Sequence, residues 1–169
     1  MDLAKRSGLL HVNMGMESTS REVLAAMNKK FNKVDQYEEI LSNLRKRGIS
    51  YSLNFVFGYD GEMPDTFDAT LKFLDLHKVP VAYFYTLSPH KGTPLYDRLK
   101  AEHRLIDETQ LDRWPGSHCE IKPTYCSASE LEERVRTMYD SFSQSLVHVE
   151  TASASPAKAH ITSWVMNFS

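Results

Sequence analysis

The sequence predicts an α/β fold in which three parallel βα units are followed by a C-terminal helix. Two nearly continuous apolar runs, at 49–57 and 79–87, are typical of strands that are buried on both faces of a parallel sheet. Segments whose apolar residues recur at steps of three and four surround these runs and predict helices. Because strands and helices alternate at this spacing, the pattern favours a parallel sheet built from βα units.

The first unit is predicted from a partly alternating segment and from the signals that follow it. Residues 9–16 contain β-compatible apolar side chains and indicate a short strand. Thr19 and Glu22 form a capping-box pattern, so we expect a helix over 20–29. A second helix is predicted over 35–47, where the apolar residues share one face.

The later elements follow from the same signals. After the strand at 49–57 the sequence predicts a helix over 64–77, a strand over 79–87, a helix over 95–103 and, within the aperiodic segment 104–126, a short strand at 118–122. Ser127 and Glu130 form a second capping box, which is expected to open the last helix.

The composition changes towards the C-terminal end. Residues 151–159 are mostly small and polar, whereas the stripe of apolar residues in the last predicted helix ends at Leu146. We therefore expect one folded domain over 1–147 and a flexible or atypical tail over 148–169.

Charge and apolar content exclude several classes of function. The 20 Lys and Arg residues are balanced by 22 Asp and Glu residues, so the clustered positive charge with which nucleic-acid binding begins is not expected. No apolar run reaches the roughly 18 residues that a membrane span needs, and no apolar segment of a secretory signal follows Met1–Arg6. The chain is expected to be cytoplasmic.

Two cysteines are the whole cysteine content of the chain. Cys119 and Cys126 are separated by six residues, whereas structural zinc sites favour two or three residues between paired cysteines, so no metal site is predicted for them. A four-iron cluster takes three or four thiolates, more than this chain carries.

Three predicted parallel strands leave two unpaired edges, which natural sheets avoid exposing. The residues are compatible with two architectures, a small three-layer α/β domain or the second half of a larger barrel.

Several segments in a fixed order resemble the radical S-adenosylmethionine (SAM) enzymes, with the strongest similarity to the subgroup that often carries a cobalamin-binding domain. The resemblance covers residues 3–145. The segments that carry it are Gly15–Ser18, Met27–Lys29, Asn54–Glu62, Phe67–Leu74 and Ser88–Tyr96.

The resemblance implies a partial (β/α) TIM-like barrel of which this chain is the C-terminal half, from the fourth strand onward. It implies SAM as a cofactor, a [4Fe-4S] cluster in the full-length family and possible use of cobalamin. The family binds its cluster on a Cys-x-x-x-Cys-x-x-Cys loop after the first strand, and this sequence has no such loop. The resemblance therefore implies that the cluster ligands are absent here.

Five positions match cofactor-binding positions of the family. Glu17 falls where the family places a polar residue near the SAM ribose, and Asn54 falls where relatives often have an aspartate near the ribose hydroxyls. Lys29 falls where relatives often have an arginine for the SAM carboxylate, and lysine keeps the charge without the two-pronged geometry. Gly58 and Gly61 would let the backbone turn closely under the adenine.

Each position also has a purely structural interpretation. Glu17 could be an acid that stabilises a helix N-terminus, Lys29 a solvated lysine, Asn54 part of a bulge, and the glycines ordinary turn residues. Glu62 is interpreted as a first-turn acid of the helix over 64–77 rather than as a site residue.

Two functional hypotheses follow, and they leave open whether the chain is an enzyme. In the first, the chain contributes the ribose and adenine side of an active site for 5′-deoxyadenosyl-radical chemistry on an unidentified small molecule, and a second chain supplies the N-terminal half-barrel. In the second, it is a truncated, non-catalytic remnant or an interaction module without a cluster. A generic nucleotide binder is a weaker third hypothesis, because no phosphate-binding glycine motif is present.

Overall fold

Three parallel strands form one open sheet in the computed structural model of the chain, which describes residues 1–108, 116 and 118–153. The strand order is β1-β2-β3, with β1 at His11–Glu17, β2 at Ser50–Phe57 and β3 at Ala82–Thr86. Both strand pairs are parallel. The helices are α1 (Asp2–Arg6), α2 (Arg21–Ala26), α3 (Tyr37–Lys46, after a 3₁₀ turn at Val34–Gln36), α4 (Asp65–Leu76), α5 (Pro94–Ala101) and α6 (Ala128–Ser153). The predicted α/β class with parallel strands is confirmed.

The helix starts show how local sequence sets the element boundaries. At α6 the prediction is confirmed, because Glu130 N–H donates to Ser127 Oγ (3.2 Å) and Ser127 N–H donates to the Glu130 carboxylate (2.7 Å). At α2 the predicted cap is wrong by one residue, since Ser20 Oγ accepts from Val23 N–H (3.3 Å). Thr19 is instead drawn to α4, where its hydroxyl lies 3.3 Å from that of Thr70.

Two other predictions about elements need correction. The helix α1 was not predicted from the sequence. The predicted strand at 118–122 is reduced to one antiparallel bridge between Ile121 and Leu105. The predicted tail is helical as far as Ser153, and residues 154–169 lie outside the described residues.

The sheet has one face that packs against helices and one open face. On the packed face, Phe57 stacks on Phe67 of α4 with ring centroids 4.6 Å apart, and Phe84 meets Phe142 of α6 edge-on at 5.9 Å. The side chains that point the other way are exposed or half-buried except for Ser52. The expectation that the strands are buried on both faces is therefore wrong in the described part of the chain. The apolar run Phe55-Val56-Phe57 suggested burial on both faces because Val56 is apolar too, although its side chain lies on the open face.

The outer edge of β3 is covered by side-chain and loop contacts. The Tyr139 hydroxyl of α6 accepts from Phe84 N–H (2.9 Å) and donates to Phe84 C=O (3.0 Å). Thr86 N–H donates to Gly116 C=O (3.0 Å). These contacts satisfy backbone groups that a neighbouring strand would otherwise bind.

Within the described ranges, none of the helices has the length and hydrophobicity needed to cross a bilayer.

Candidate functional site

The open face carries a row of polar side chains that comes from the register of the sheet. Gly15 lies opposite Asn54, and Asn54 lies opposite Tyr83. Because alternate side chains of a strand share a face, this face collects polar and aromatic residues from all three strands: His11, Asn13, Gly15, Ser50, Ser52, Asn54, Tyr83 and Tyr85. We call these residues the open-face row.

Hydrogen bonds join the β1 and β2 members of the row. Ser52 Oγ donates to Asn13 Oδ1 (3.0 Å), and Asn54 Nδ2 donates to the same oxygen (2.8 Å). The His11 ring lies between two serine hydroxyls, with Nδ1 3.0 Å from Ser50 Oγ and Nε2 3.1 Å from Ser52 Oγ. Asn54 Oδ1 is inaccessible to solvent and has no hydrogen-bond partner among the described residues. A buried acceptor without a partner is costly and indicates a place for a ligand donor.

A bulge at the end of β1 places the Glu17 carboxylate above this row. The register shifts between Gly15 and Glu17, and Glu17 has a left-handed backbone with φ 66°. Its Oε1 lies 2.8 Å from the point where a Cβ on residue 15 would stand, so any larger residue at position 15 would require the Glu17 carboxylate to move. Asn32 Nδ2 donates to Gly15 C=O (3.0 Å) and the Tyr37 hydroxyl to Met16 C=O (2.9 Å), which hold the bulge in place.

Two of the predicted site residues are in direct contact. Lys29 Nζ donates to Glu17 Oε1 at 3.1 Å, and the Glu17 side chain is 18% exposed against 39% for Lys29. Residues twelve apart in sequence meet because α2 and the turn after it return the chain to the end of β1. Glu17 and Asn54 share the C-terminal end of the sheet, where parallel α/β folds bind their ligands.

Gly58 and Gly61 both lie in the turn after β2, but their surroundings differ from each other. A Cβ on Gly58 (φ 103°) would stand 2.7 Å from Leu131 Cδ2, so this glycine permits close packing of α6. A Cβ on Gly61 (φ 84°) would have no atom of the described residues within 4 Å, so there is open space beside this glycine. Neither glycine contacts Glu17, Lys29 or Asn54 in a hydrogen bond that the structure describes.

Glu62 is a buried residue that sequence reasoning placed wrongly. It precedes α4 and is 2% exposed, whereas we expected a first-turn acid. Its Oε2 accepts from Gly58 N–H (2.5 Å) and from the Tyr125 hydroxyl (2.8 Å). Burial raises the pKa of the Glu62 carboxyl to about 7, against the lowering effect of those two hydrogen bonds. The residue therefore fastens the turn after β2 to the segment before α6.

Asp60 fastens the same turn to the segment around α5. Its carboxylate contacts Arg98 Nη1 at 2.5 Å and Arg104 Nη1 at 2.8 Å. Burial alone would raise the pKa of Asp60, but the two arginines together lower it. The turn is thus tied to neighbouring segments on both sides.

Tyr83 and Tyr85 add an aromatic surface beside Asn54. Their rings stack with centroids 6.4 Å apart and an interplanar angle of 25°, and Tyr83 is 42% exposed. The signal that could have located the row is the alternation of His11, Asn13 and Gly15 with apolar neighbours, matched by Ser50, Ser52 and Asn54 one unit later.

The two cysteines do not fit an iron–sulfur cluster. The Cys119 thiol is buried and donates to Ile121 C=O (3.2 Å), and burial raises its pKa to about 11, so the metal-binding thiolate is disfavoured. Across residues 1–108, 116 and 118–153, no group of three or more His, Cys, Asp or Glu side chains is placed to hold a metal ion. We derive no chemical step through a cluster from this chain.

Comparisons with known proteins connect this fold to one superfamily. The profile of the radical SAM superfamily matches residues 1–74. Bacteriochlorophyllide d C-12(1)-methyltransferase of Chlorobaculum tepidum is 32% identical over 132 residues, which are 78% of this chain and 28% of that protein. tRNA-2-methylthio-N(6)-dimethylallyladenosine synthase of Nitrosomonas europaea is 33% identical over 113 residues, 60% of this chain and 25% of the relative. The chain thus spans about a quarter of the length of these relatives.

Proposed function

Because this chain belongs to the radical SAM superfamily, we propose that its open face forms the ribose and adenine side of an SAM site. The observation that carries the proposal is the buried, unpartnered Asn54 Oδ1 at the end of the sheet where Glu17 and Lys29 also meet. SAM offers what these groups lack, namely ribose hydroxyl donors for the two acceptors and a carboxylate for the lysine.

The Glu17–Lys29 ion pair is the part of the site that must rearrange. Lys29 Nζ is held by Glu17 in the absence of a ligand. A ligand carboxylate would compete for the same ammonium group, and the Glu17 oxygen would then be free to accept from a ribose hydroxyl. Since the pair is partly exposed, exchanging one carboxylate for another costs little.

The remaining predicted residues would shape the adenine pocket. Gly61 is the open point of the turn after β2, where backbone could approach a flat ring, while Gly58 supports that turn from behind against Leu131. Tyr83 and Tyr85 offer ring faces to the same ligand.

Methyl or methylthio transfer is the reaction class that we propose for the whole protein, in line with the names of the two relatives. The superfamily supplies its radical chemistry through SAM and a [4Fe-4S] cluster. We propose that the cluster ligands and the first strands of the barrel come from outside this sequence, in a second polypeptide that pairs with β1. Cobalamin use and the substrate rest on the resemblance alone, since no described residue is assigned to either.

A titration of the folded chain with SAM and with 5′-methylthioadenosine tests the proposed site. Asn54→Ala and Glu17→Ala should weaken binding of both ligands by about 3- to 10-fold, since each removes an acceptor for ribose. Lys29→Ala should weaken SAM only, because methylthioadenosine has no carboxylate. Glu39→Ala and Asn43→Ala, on α3, are the matched controls and should bind as the unmodified chain does.

No heat of binding at millimolar SAM in a chain shown to be folded would reject the SAM site. Equal losses in the site variants and the controls would reject it too. Either result would favour the second candidate function, an interaction module, which is supported by the edge of β1 that faces away from β2.

A further inference from the structure

Two carboxyl groups fasten the turn after β2, each to a different part of the chain. The Asp60 carboxylate contacts Arg98 Nη1 at 2.5 Å and Arg104 Nη1 at 2.8 Å. The Arg98 guanidinium also lies over the Tyr59 ring, 5.9 Å from its centroid. The Tyr59–Asp60 half of the turn is thus held to α5 and to the residues after it by charged contacts that do not involve Glu62.

Glu62 holds the other half of the turn with a carboxyl group that lacks a full set of hydrogen-bond donors. Its Oε2 accepts from Gly58 N–H (2.5 Å) and from the Tyr125 hydroxyl (2.8 Å), whereas Oε1 is buried and has no hydrogen-bond partner among the described residues. An ionised carboxylate has about four lone-pair sites for donors, and burying a charge without enough partners is costly. The surroundings therefore suit the neutral form of Glu62 better than the ionised form.

The charged groups of the neighbouring elements are occupied elsewhere or exposed. Besides Asp60 and its two arginines, the titratable groups of the surrounding elements are Asp65 and Asp68 on α4, Tyr125 and Cys126 before α6, and Glu130 and Arg134 on α6. The two aspartates of α4 are exposed. Ser127 Oγ donates to the Glu130 carboxylate at 2.7 Å. The Arg134 guanidinium lies over the Phe67 ring, 5.6 Å from its centroid.

Tyr125 and Cys126 stay protonated while Glu62 titrates. Burial raises the pKa of the Tyr125 hydroxyl and that of the Cys126 thiol above their ordinary values. Neither group therefore changes its charge near neutral pH, and Glu62 is the group at this junction that does.

Gly61 separates the two fastened halves and supplies a hinge between them. Its φ is 84°, and a Cβ at this position would have no atom of the described residues within 4 Å. A residue without a side chain and with open space beside it can change its backbone angles without a clash. Gly58 differs, because a Cβ there would stand 2.7 Å from Leu131 Cδ2. Rotation at Gly61 would move Glu62 and leave the contacts of Asp60 in place.

We propose that Glu62 is a proton-controlled latch, in which the neutral carboxyl closes the turn after β2 onto the segment before α6 and ionisation releases the Gly61–Glu62 half while Asp60 keeps its arginines. The shape of this end of the sheet then depends on pH. The latch does not depend on the proposed SAM site, and its test uses no ligand, so that either proposal can fail without the other.

The two carboxyl groups respond to pH in opposite ways, as the latch requires. Burial raises the pKa of Glu62 to about 7 from the ordinary value of 4.5. Burial would also raise the pKa of Asp60, but Arg98 and Arg104 together lower it. The closed turn is thus favoured fully below about pH 4.5 and loses that advantage as the pH rises through 7, while Asp60 stays charged.

Hydrogen exchange of the Gly58 amide tests the latch, because this N–H donates to Glu62 in the closed turn. For a pKa of about 7 in the closed turn and 4.5 after release, the protection factor of this amide should fall about 10-fold between pH 6 and pH 8. Glu62→Gln does not ionise and should abolish the fall. Glu39→Gln, on α3, is the matched control and should keep it.

Urea distinguishes release of the turn from unfolding of the whole chain. Local release exposes little surface, so exchange at Gly58 should be insensitive to low concentrations of urea. The Leu53 amide, which donates to Val81 C=O, should instead exchange faster as urea is added. Gly58 protection that is independent of pH in the unmodified chain, or as sensitive to urea as that of Leu53, would overturn the latch.

Tyr125→Phe provides a second test that remains if Glu62→Gln does not fold. The Tyr125 hydroxyl lowers the pKa of Glu62, so its removal should move the midpoint of the Gly61 amide NMR titration to higher pH. Tyr83→Phe, on the open face, is the control and should leave the midpoint unchanged. A midpoint that does not move in Tyr125→Phe, or that moves equally in both variants, would overturn the proposal.

Discussion

At the scale of single residues, burial decides the behaviour of Glu62 and Asn54 more than residue type does. Asn54 lies in the apolar strand β2, and Glu62 follows that strand. Each has one side-chain oxygen that is buried and has no hydrogen-bond partner among the described residues. Asn54 lies on the open face, where we propose that it binds a ligand, whereas Glu62 lies beneath the turn after β2 and fastens it.

The pKa of Glu62 predicts a pH-dependent stability. Since the folded-state pKa of Glu62 is about 7 and the ordinary pKa of a glutamate is 4.5, the folded chain binds more protons than the unfolded chain between these values. The free energy of unfolding should therefore be greatest below about pH 4.5 with respect to this group, and should fall by roughly 3 kcal/mol at most as the pH rises through 7.

Glu62→Gln separates this effect from the other titrating groups. Glutamine can still accept from Gly58 and Tyr125 but does not ionise, so urea denaturation at pH 5 and pH 8 should show a smaller difference than in the unmodified chain. Glu39→Gln, on the surface of α3, is the matched control and should keep the original difference. The same pH slope in both variants would contradict the role given to Glu62.

At the scale of elements, the two edges of the sheet differ in whether their outward backbone groups have hydrogen-bond partners. The Tyr139 hydroxyl and Gly116 occupy the edge of β3. On β1, Leu10 C=O accepts from Ser50 N–H, so by alternation the backbone groups of His11 and Asn13 point away from β2. A contact from helix α6 thus closes the β3 edge of the sheet. This helix begins more than forty residues after the end of β3.

Removing the Tyr139 hydroxyl should weaken the β3 edge. Tyr139→Phe keeps the ring that packs edge-on against Phe84 at 5.0 Å but leaves the Phe84 N–H and C=O without this partner. We expect a loss of about 1–2 kcal/mol in the free energy of unfolding, measured by urea denaturation. Tyr83→Phe on the open face is the control, and an equal loss there would mean that the hydroxyl of Tyr139 has no special role.

At the scale of the whole molecule, the helices pack on one face of the sheet and leave the other polar. The open polar face is free to receive a ligand or a partner, and a β1 edge that points outward can receive a further strand. Both features agree with a sheet that completes a larger site.

Hydrogen exchange of the β1 amides tests the part of the proposal that concerns a second polypeptide. In the chain alone, the His11 and Asn13 amides should exchange much faster than the Val12 and Met14 amides, which point towards β2. A polypeptide that supplies the preceding strand should slow the His11 and Asn13 amides and leave Val12 and Met14 unchanged. Slow exchange at His11 and Asn13 in the chain alone would contradict an open edge.

The sequence by itself determined the order of the strands and helices from β1 to α6 and several of their ends. The apolar periodicity of α3 and α4, the apolar runs of β2 and β3 and the Ser127–Glu130 cap are local features, because each depends on residues that are close together in the sequence. The resemblance also predicted Glu17, Lys29 and Asn54 as cofactor-binding residues, and two of these form an ion pair in the structure.

Only the tertiary structure decided which strand face is polar, where Glu62 lies and which polar side chains of β1 and β2 meet. The pairing of Asn13 with Ser52 and Asn54 depends on the register between strands almost forty residues apart. The position of Glu17 depends on a one-residue bulge that Asn32 and Tyr37 hold from other segments. Register and bulges are set by contacts across the fold, and a shift of one residue would turn every side chain to the opposite face. For that physical reason the sequence could name candidate residues, but only the folded chain brings them together.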